Sequence, residues 1–161
     1  MRAEAVEADL GWALGTVFRG YLRATEEALA GLPGGPRGYQ VLTSAARCEP
    51  TRQLVMAQHL GVDRTVMTYL IDDLENAGLV ERRPDPADRR ARLLSATERG
   101  LARLVEANRA MRAAEDRVLG ALDPRERDRL RELLRKVAMA DAAPDNPCAV
   151  VQEAAALDGT C

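Results

Sequence analysis

The chain has 161 residues, 47% of them hydrophobic and 30% charged, a length and balance that fit one globular domain with a core of its own. Aromatic residues are only 3%, which argues against a single-strand nucleic-acid binder with its stacking platforms, and a net charge of −2 excludes a chain that is basic overall. No apolar run reaches the ~20 residues that span a bilayer, and the first residues lack a signal-type apolar region, so no membrane partner and a cytoplasmic location are expected.

A first long helix is predicted over about 4–31, where Val6, Leu10, Ala13, Leu14, Val17, Tyr21 and Ala28 trace one apolar stripe. Leu32-Pro33-Gly34-Gly35-Pro36 breaks it, and a short helix follows from about Arg37 to Arg47. Two short helices joined by a tight turn come next. The first covers about Gln53 to Leu60, with Leu54, Ala57 and Leu60 on one face, and Gly61 allows the positive φ needed just after a helix end. Asp63 is a good N-cap for the second, which runs to about Ala77 and stops at Gly78. Its Met67, Leu70, Ile71 and Leu74 share a face at i, i+3, i+4, i+7 spacing.

From Leu79 to Gly100 the pattern becomes a short strand, a Pro/Asp turn, a return strand and a helix start. Pro84 and Pro86 fix their own φ and push the preceding residues into extended geometry, which suits a hairpin tip. Thr97 caps a long helix to about Leu122, roughly 37 Å at ~1.5 Å per residue. Within it Leu101, Leu104, Asn108, Met111, Glu115, Val118 and Leu122 alternate by three and four, a short heptad seam with two polar interruptions. Asp123-Pro124-Arg125-Glu126 reads as an N-cap, a Pro at N1 and a capping-box glutamate. The final helix, to about Ala140, carries Leu130, Leu133, Leu134 and Val137, and residues 141–161 read as a tail. The fold class is therefore mainly α with a small β-wing. It comprises a winged helix-turn-helix over about 36–100 and long terminal helices over about 4–31 and 97–140, all in a single domain, 1–140.

The chemistry concentrates in the middle. Arg64, Thr65, Thr68 and Tyr69 occupy the polar face of the second short helix in its first two turns. They can donate to base edges or phosphates, and the helix N-terminus itself favours phosphate. Asp72, Asp73 and Glu75 follow and would repel DNA, so the N-terminal half is the part expected in a major groove. Arg82, Arg83, Arg89, Arg90 and Arg92 gather positive charge at the hairpin, where it can enter a groove between phosphate rows despite the acidic total. Either feature alone is as well explained by a solvated surface; their order and spacing make the signal. No catalytic residue, metal site or cofactor is expected. His59 is the one histidine and fits a solvated or capping role, no ligands converge on a metal, and no Gly-rich phosphate loop occurs. Cys48, Cys148 and Cys161 form no Cys-x-x-Cys pair and are expected as free thiols.

These residues resemble the MarR-type transcriptional regulators. The likeness is carried by Met56 to Arg82 (MAQHLGVDRTVMTYLIDDLENAGLVER), Asp85 to Ala91 (DPADRRA) and Ala96 to Gly100 (ATERG), and family-like helical flanks extend it over most of the chain. It implies a homodimeric, sequence-specific regulator, a repressor by expectation, on a pseudo-palindromic double-stranded operator. The first and last helices would interlock between subunits as dimerisation helices. Asp88 and Arg90, the wing's Asp-x-Arg, would hold the wing and reach the minor groove, with Arg89 beside them. A small-molecule effector, of the aromatic or phenolic kind common in the family, would bind between dimerisation helices and winged helix. Trp12, Tyr21 and Tyr39 are the aromatics best placed for it, with core packing as the alternative for each. Two departures stand out: Tyr69 replaces a frequent arginine, implying an unusual base preference, and Ala96 replaces the usual leucine, which affects packing. Two other readings stay open. One is a thiol-switched regulator on the same scaffold, with Cys48 beside Arg47 or a tail cysteine as sensor. The other is a winged-helix protein-interaction module without DNA, against which the wing arginines argue.

Overall fold

The structure, a computed structural model, describes residues 9–47 and 51–141. Its elements in chain order are α1 (Leu10–Leu29), α2 (Gly35–Arg47), β1 (Thr51–Arg52), α3 (Gln53–Leu60), α4 (Arg64–Asn76), β2 (Val80–Asp85), β3 (Asp88–Ala96), α5 (Glu98–Val118) and α6 (Pro124–Asp141). The molecule is mainly helical, with one small antiparallel sheet of order β1-β3-β2.

Several boundaries differ from the sequence expectation, each for a local reason. The Asp9 carboxylate accepts a hydrogen bond from the Gly11 N–H at 2.9 Å and starts α1 at Leu10; the expected start near residue 4, and Val6 of the stripe, lie outside the described residues. α2 begins at Gly35 rather than Arg37, because Pro36 needs no N–H in a first turn. β1 was not expected. Its two residues pair with Leu94 and Leu93, too short a run for any alternation to announce it. α5 ends at Val118, one turn before Leu122, with Leu119 as its cap. The tail, from residue 142, lies outside the described residues.

The main core sits where α4 meets α2, α3 and the hairpin. Met67, Ile71 and Leu74 of α4 are fully buried against Val41 and Leu42 of α2, Leu60 of α3, Val80 and Leu94. Full burial of one such side chain contributes roughly 1.5–3 kcal/mol, which explains why the i, i+3, i+4, i+7 face of α4 turns inward. Thr97 joins this unit to the scaffold. Its hydroxyl accepts from the Gly100 N–H at 2.9 Å and donates to the Gly78 carbonyl at 2.7 Å. Gly100 is required at this crossing, since a Cβ would lie 1.9 Å from the Leu79 carbonyl oxygen.

The scaffold follows the expected heptad seam only in part, at Leu104 and Met111. On α5 the buried positions are Gly100, Ala107, Met111 and Ala114, and Ala107 and Met111 cluster with Leu29 of α1. Leu101, placed in the seam by spacing, is 45% exposed, as is Val105 at 50%. Small residues let α1 approach closely on that side, and this decides which face of α5 is covered. α6 starts with a capping box: Asp123 Oδ1 accepts from Arg125 N and Glu126 N, and Glu126 Oε2 accepts from Asp123 N at 2.9 Å. Arg127 Nε donates to the carbonyls of Leu119 and Leu122, and Arg131 meets Asp116 at 2.9 Å, fixing α6 to the end of α5. No described side chain of α6 is buried.

Candidate nucleic-acid interface

Asp63 sets up the helix that faces outward. Its Oδ1 accepts from Thr65 N at 2.8 Å and Val66 N at 3.3 Å, and these two N–H groups hold the carboxyl below its usual range. The first turn of α4 then presents exposed Arg64 and Thr65, with Tyr69 one turn on at 67% exposure. Thr68 is half-buried and its hydroxyl is engaged. It donates to the Arg64 carbonyl at 3.0 Å and accepts from Gln53 Nε2 at 2.9 Å, which leaves little capacity for a base edge.

The wing is latched rather than merely charged. β2 is an edge strand, and Pro84 sits beside its register shift at Pro84/Asp85, the setting in which a sheet tolerates proline. Asp85 is only 7% exposed. Its Oδ1 accepts from Ala87 N at 2.8 Å, and its Oδ2 accepts from Arg52 Nε at 2.8 Å and Nη2 at 2.7 Å. The Ala87 N–H first and Arg52 second keep this carboxyl below the ordinary carboxylate range. The short strand β1 thus delivers an arginine to the hairpin tip. Asp88 Oδ1 accepts from the Arg90 backbone N–H at 3.0 Å. The Asp-x-Arg pair therefore meets through the arginine's backbone, and the exposed Arg90 guanidinium pairs with no carboxylate among the described residues. Arg89 lies in β3, and its side chain is outside the description.

Two of the expected wing cations are otherwise engaged. Arg82 reaches back to α4, with Nη2 2.5 Å from Asp72 and Nη1 on Glu75, while its backbone N–H donates to Glu75 Oε1 at 3.1 Å. Arg83 pairs with Glu81 at 2.5 Å. The expected positive charge at Arg82 and Arg83 is thus neutralised locally, and so is much of the negative charge of Asp72 and Glu75. Arg82 clamps α4 to the wing.

Between α4 and the wing runs an open groove of about 630 Å³, lined by Arg52, Gln53, Arg64, Thr68, Arg82, Arg90 and Arg92 among others. It gathers Arg64, Thr68, Asp88 and Arg90 of the sequence-derived set, while Thr65 and Tyr69 lie outside its lining. Arg52, Gln53 and Asp85 were missed, because a lone arginine before a helix and an acidic turn residue carry no periodic signal. A second cleft, about 410 Å³, lies among Gly31, Pro33, Leu79, Arg99, Arg103 and Glu106.

The three aromatics proposed for an effector separate into two places. Tyr39 and Tyr21 both pack on the Leu29–Met111 cluster. Tyr39 Oη donates to Asn108 Oδ1 at 2.7 Å. Tyr21 stacks on Phe18 at 6.4 Å, and burial pushes its phenol pKa up. Trp12 stands earlier on α1, about 13 Å from Tyr21 at ~1.5 Å per residue, and is 45% exposed. Neither cleft is lined by any of the three. His59 is exposed on α3. Among the described residues no cluster of His, Cys, Asp and Glu could hold a metal, and no helix is long and apolar enough to cross a membrane. Cys48, Cys148 and Cys161, the thiol-switch candidates, lie outside the described residues.

Comparison with known proteins matches this region to the MarR family model over residues 36–91, the stretch from α2 through the wing tip. A MarR-family transcriptional regulator from Rhodococcus sp. RHA1 is 32% identical, with a TM-score of 0.64 over 82% of this chain and 94% of that one. CouR from Rhodococcus jostii RHA1, solved with bound p-coumaroyl-CoA, is 32% identical with a TM-score of 0.61, covering 83% and 94% respectively. A mutant MarR from E. coli is 27% identical with a TM-score of 0.71, covering 80% and 96%.

Proposed function

The chain belongs to the MarR family of DNA-binding transcriptional regulators, and we propose from this premise that it is a homodimeric repressor released from a pseudo-palindromic operator by a small molecule. The observation that carries the reading is the groove between α4 and the wing, with Arg64 and Arg90 exposed on its lining and no carboxylate among the described residues paired to either. In this reading the N-terminal half of α4 enters the major groove. Arg64, Thr65 and Tyr69 face base edges and phosphates, Thr68 beside them holds Gln53 and the helix backbone, Arg89 and Arg90 neutralise minor-groove charge, and Asp88 shapes the wing. The apolar faces left open on α1 and α6 (Leu14, Val17, Leu134 and Val137) are the surfaces a second copy would cover.

The effector is proposed to be aromatic or phenolic and to act where the scaffold meets the winged helix, near Tyr21 and Tyr39, with Trp12 at the rim. CouR's p-coumaroyl-CoA supports that chemical class. α5 supplies the lever, because its cap residue Thr97 is hydrogen-bonded to Gly78 at the end of the recognition helix. A ligand that prefers the DNA-incompetent spacing by ~1–3 kcal/mol lowers DNA affinity roughly 5–150-fold.

The test begins with the full chain selecting duplexes from a randomised pool. Binding is then followed against salt, mass by light scattering, and release by phenolic acids and their CoA thioesters. The expected result is a dimer on two half-sites ~10 bp apart, with affinity falling steeply as salt rises. A monomer bound at full affinity, or binding indifferent to salt, overturns the proposal.

A further inference from the structure

Val66 and Tyr69 form an apolar pair on the outward face of α4 that the core does not use. The helix buries Met67, Leu70, Ile71 and Leu74, yet Val66 is 43% and Tyr69 67% exposed. They lie three residues apart, so their side chains are neighbours on the helix surface. Exposing a valine and a tyrosine side by side gains nothing within a single chain. Arg64 stands in the same first turn and Arg90 lines the groove beside that turn, while the two nearby carboxylates are engaged, Asp63 by Thr65 N and Val66 N and Asp72 by Arg82. The Thr68 hydroxyl, one residue from Tyr69, is already bonded to Arg64 O and Gln53.

A surface that is cationic at its edges and apolar at its crest matches one chemistry in a major groove. Phosphates flank it, and the thymine C5-methyl is the apolar group displayed on its floor. We propose that Val66 and Tyr69 read thymine by packing on C5-methyl groups, so that operator preference at these positions rests on apolar contact. The inference deepens the DNA-binding reading above and depends on it.

The experiment compares two duplexes: one selected by the full-length protein from a randomised pool, and the same sequence with every thymine replaced by deoxyuridine. Uracil keeps the pairing edge and loses only the methyl. Fluorescence anisotropy is expected to show the uracil duplex weaker by about fourfold per contacted methyl, from ~0.8 kcal/mol per buried carbon group. Tyr69→Phe should keep the difference. The double variant Val66→Ala/Tyr69→Ala should erase it, binding the thymine duplex no better than the uracil one. Both positions are exposed, and circular dichroism of the double variant should match the parent. Equal binding of the two duplexes by the parent overturns the inference while leaving DNA recognition intact. So does a difference that survives in the double variant, because the methyls then act through DNA shape. Failure to select or bind any duplex overturns the DNA reading itself and this inference with it.

Discussion

In the winged-helix half, Val41, Leu42, Met67, Ile71 and Leu74 are all 0% exposed, whereas in the scaffold Leu10, Leu14 and Val17 of α1 and Leu133, Leu134 and Val137 of α6 stand between 43% and 71% open. The apolar stripes of α4 and α1 look alike in sequence. What differs is what lies opposite. α4 is enclosed by α2, α3 and the hairpin of its own chain, while the N-terminal half of α1 and the whole of α6 have too few neighbours among the described residues to cover them. One half completes its core among the described residues, and the other leaves apolar side chains that those residues do not cover.

The comparison can be broken from either side. Ile71→Ala removes a fully buried side chain from the completed core and should lower stability by about 2–5 kcal/mol, read as a shifted denaturation midpoint with an unchanged slope. The pair Leu134→Asp and Val137→Asp should leave far-UV circular dichroism nearly intact but shift the mass to that of a monomer. With only one half-site engaged at a time, DNA affinity should fall about a hundredfold or more. If those aspartates leave the dimer unchanged, the open face of α6 is not its interface.

Two arginines sharpen the contrast within the winged helix. Arg90→Ala should weaken DNA binding about tenfold and lower the salt slope by roughly 1, since an exposed cation is lost from a phosphate. Arg82→Met should instead weaken binding severalfold on all sequences while the slope stays the same, because that guanidinium is occupied by Asp72 and Glu75. Its cost in stability should stay below about 1 kcal/mol, the usual range for an ion pair whose carboxylates remain solvated. An unchanged slope in the Arg90 variant would remove the wing from the interface.

The smallest effect concerns acid. The Asp85 pKa is depressed in the folded wing, so its contribution is complete above the ordinary carboxylate pKa of ~3.9 and is lost as pH falls through the lower folded value. Asp85→Asn should therefore reduce wing protection from hydrogen exchange at neutral pH and narrow its difference from the parent as the medium is acidified below pH ~4. A difference that stays constant through acidification would mean that the latch to Arg52 works without charge.

Much of the interface was legible before folding was considered. Asp63 as cap, Gly61 as helix end, the α4 periodicity and the Pro/Asp turn are local features whose hydrogen bonds and φ values are satisfied within a few residues. The amphipathic period of α4 also placed Tyr69 outward. Spacing alone placed Leu104 and Met111 on the covered side of α5 but passed over Ala107 and Ala114, which carry little hydrophobic signal although their small size is what admits α1. The same blindness hid β1 and its Arg52, whose partner Asp85 is far away in sequence.

Local chemistry in the sequence thus determined the element order, the helix caps, the winged-helix class and the charged hairpin, since each depends on neighbours within one or two turns. Only the tertiary structure decided which arginines remain available. Arg82 and Arg90 are indistinguishable as letters in a basic wing, but one is folded back onto two carboxylates of α4 and the other is left exposed. The reason is physical: an ion pair depends on distance through space, and those distances were set by packing α4 against the hairpin.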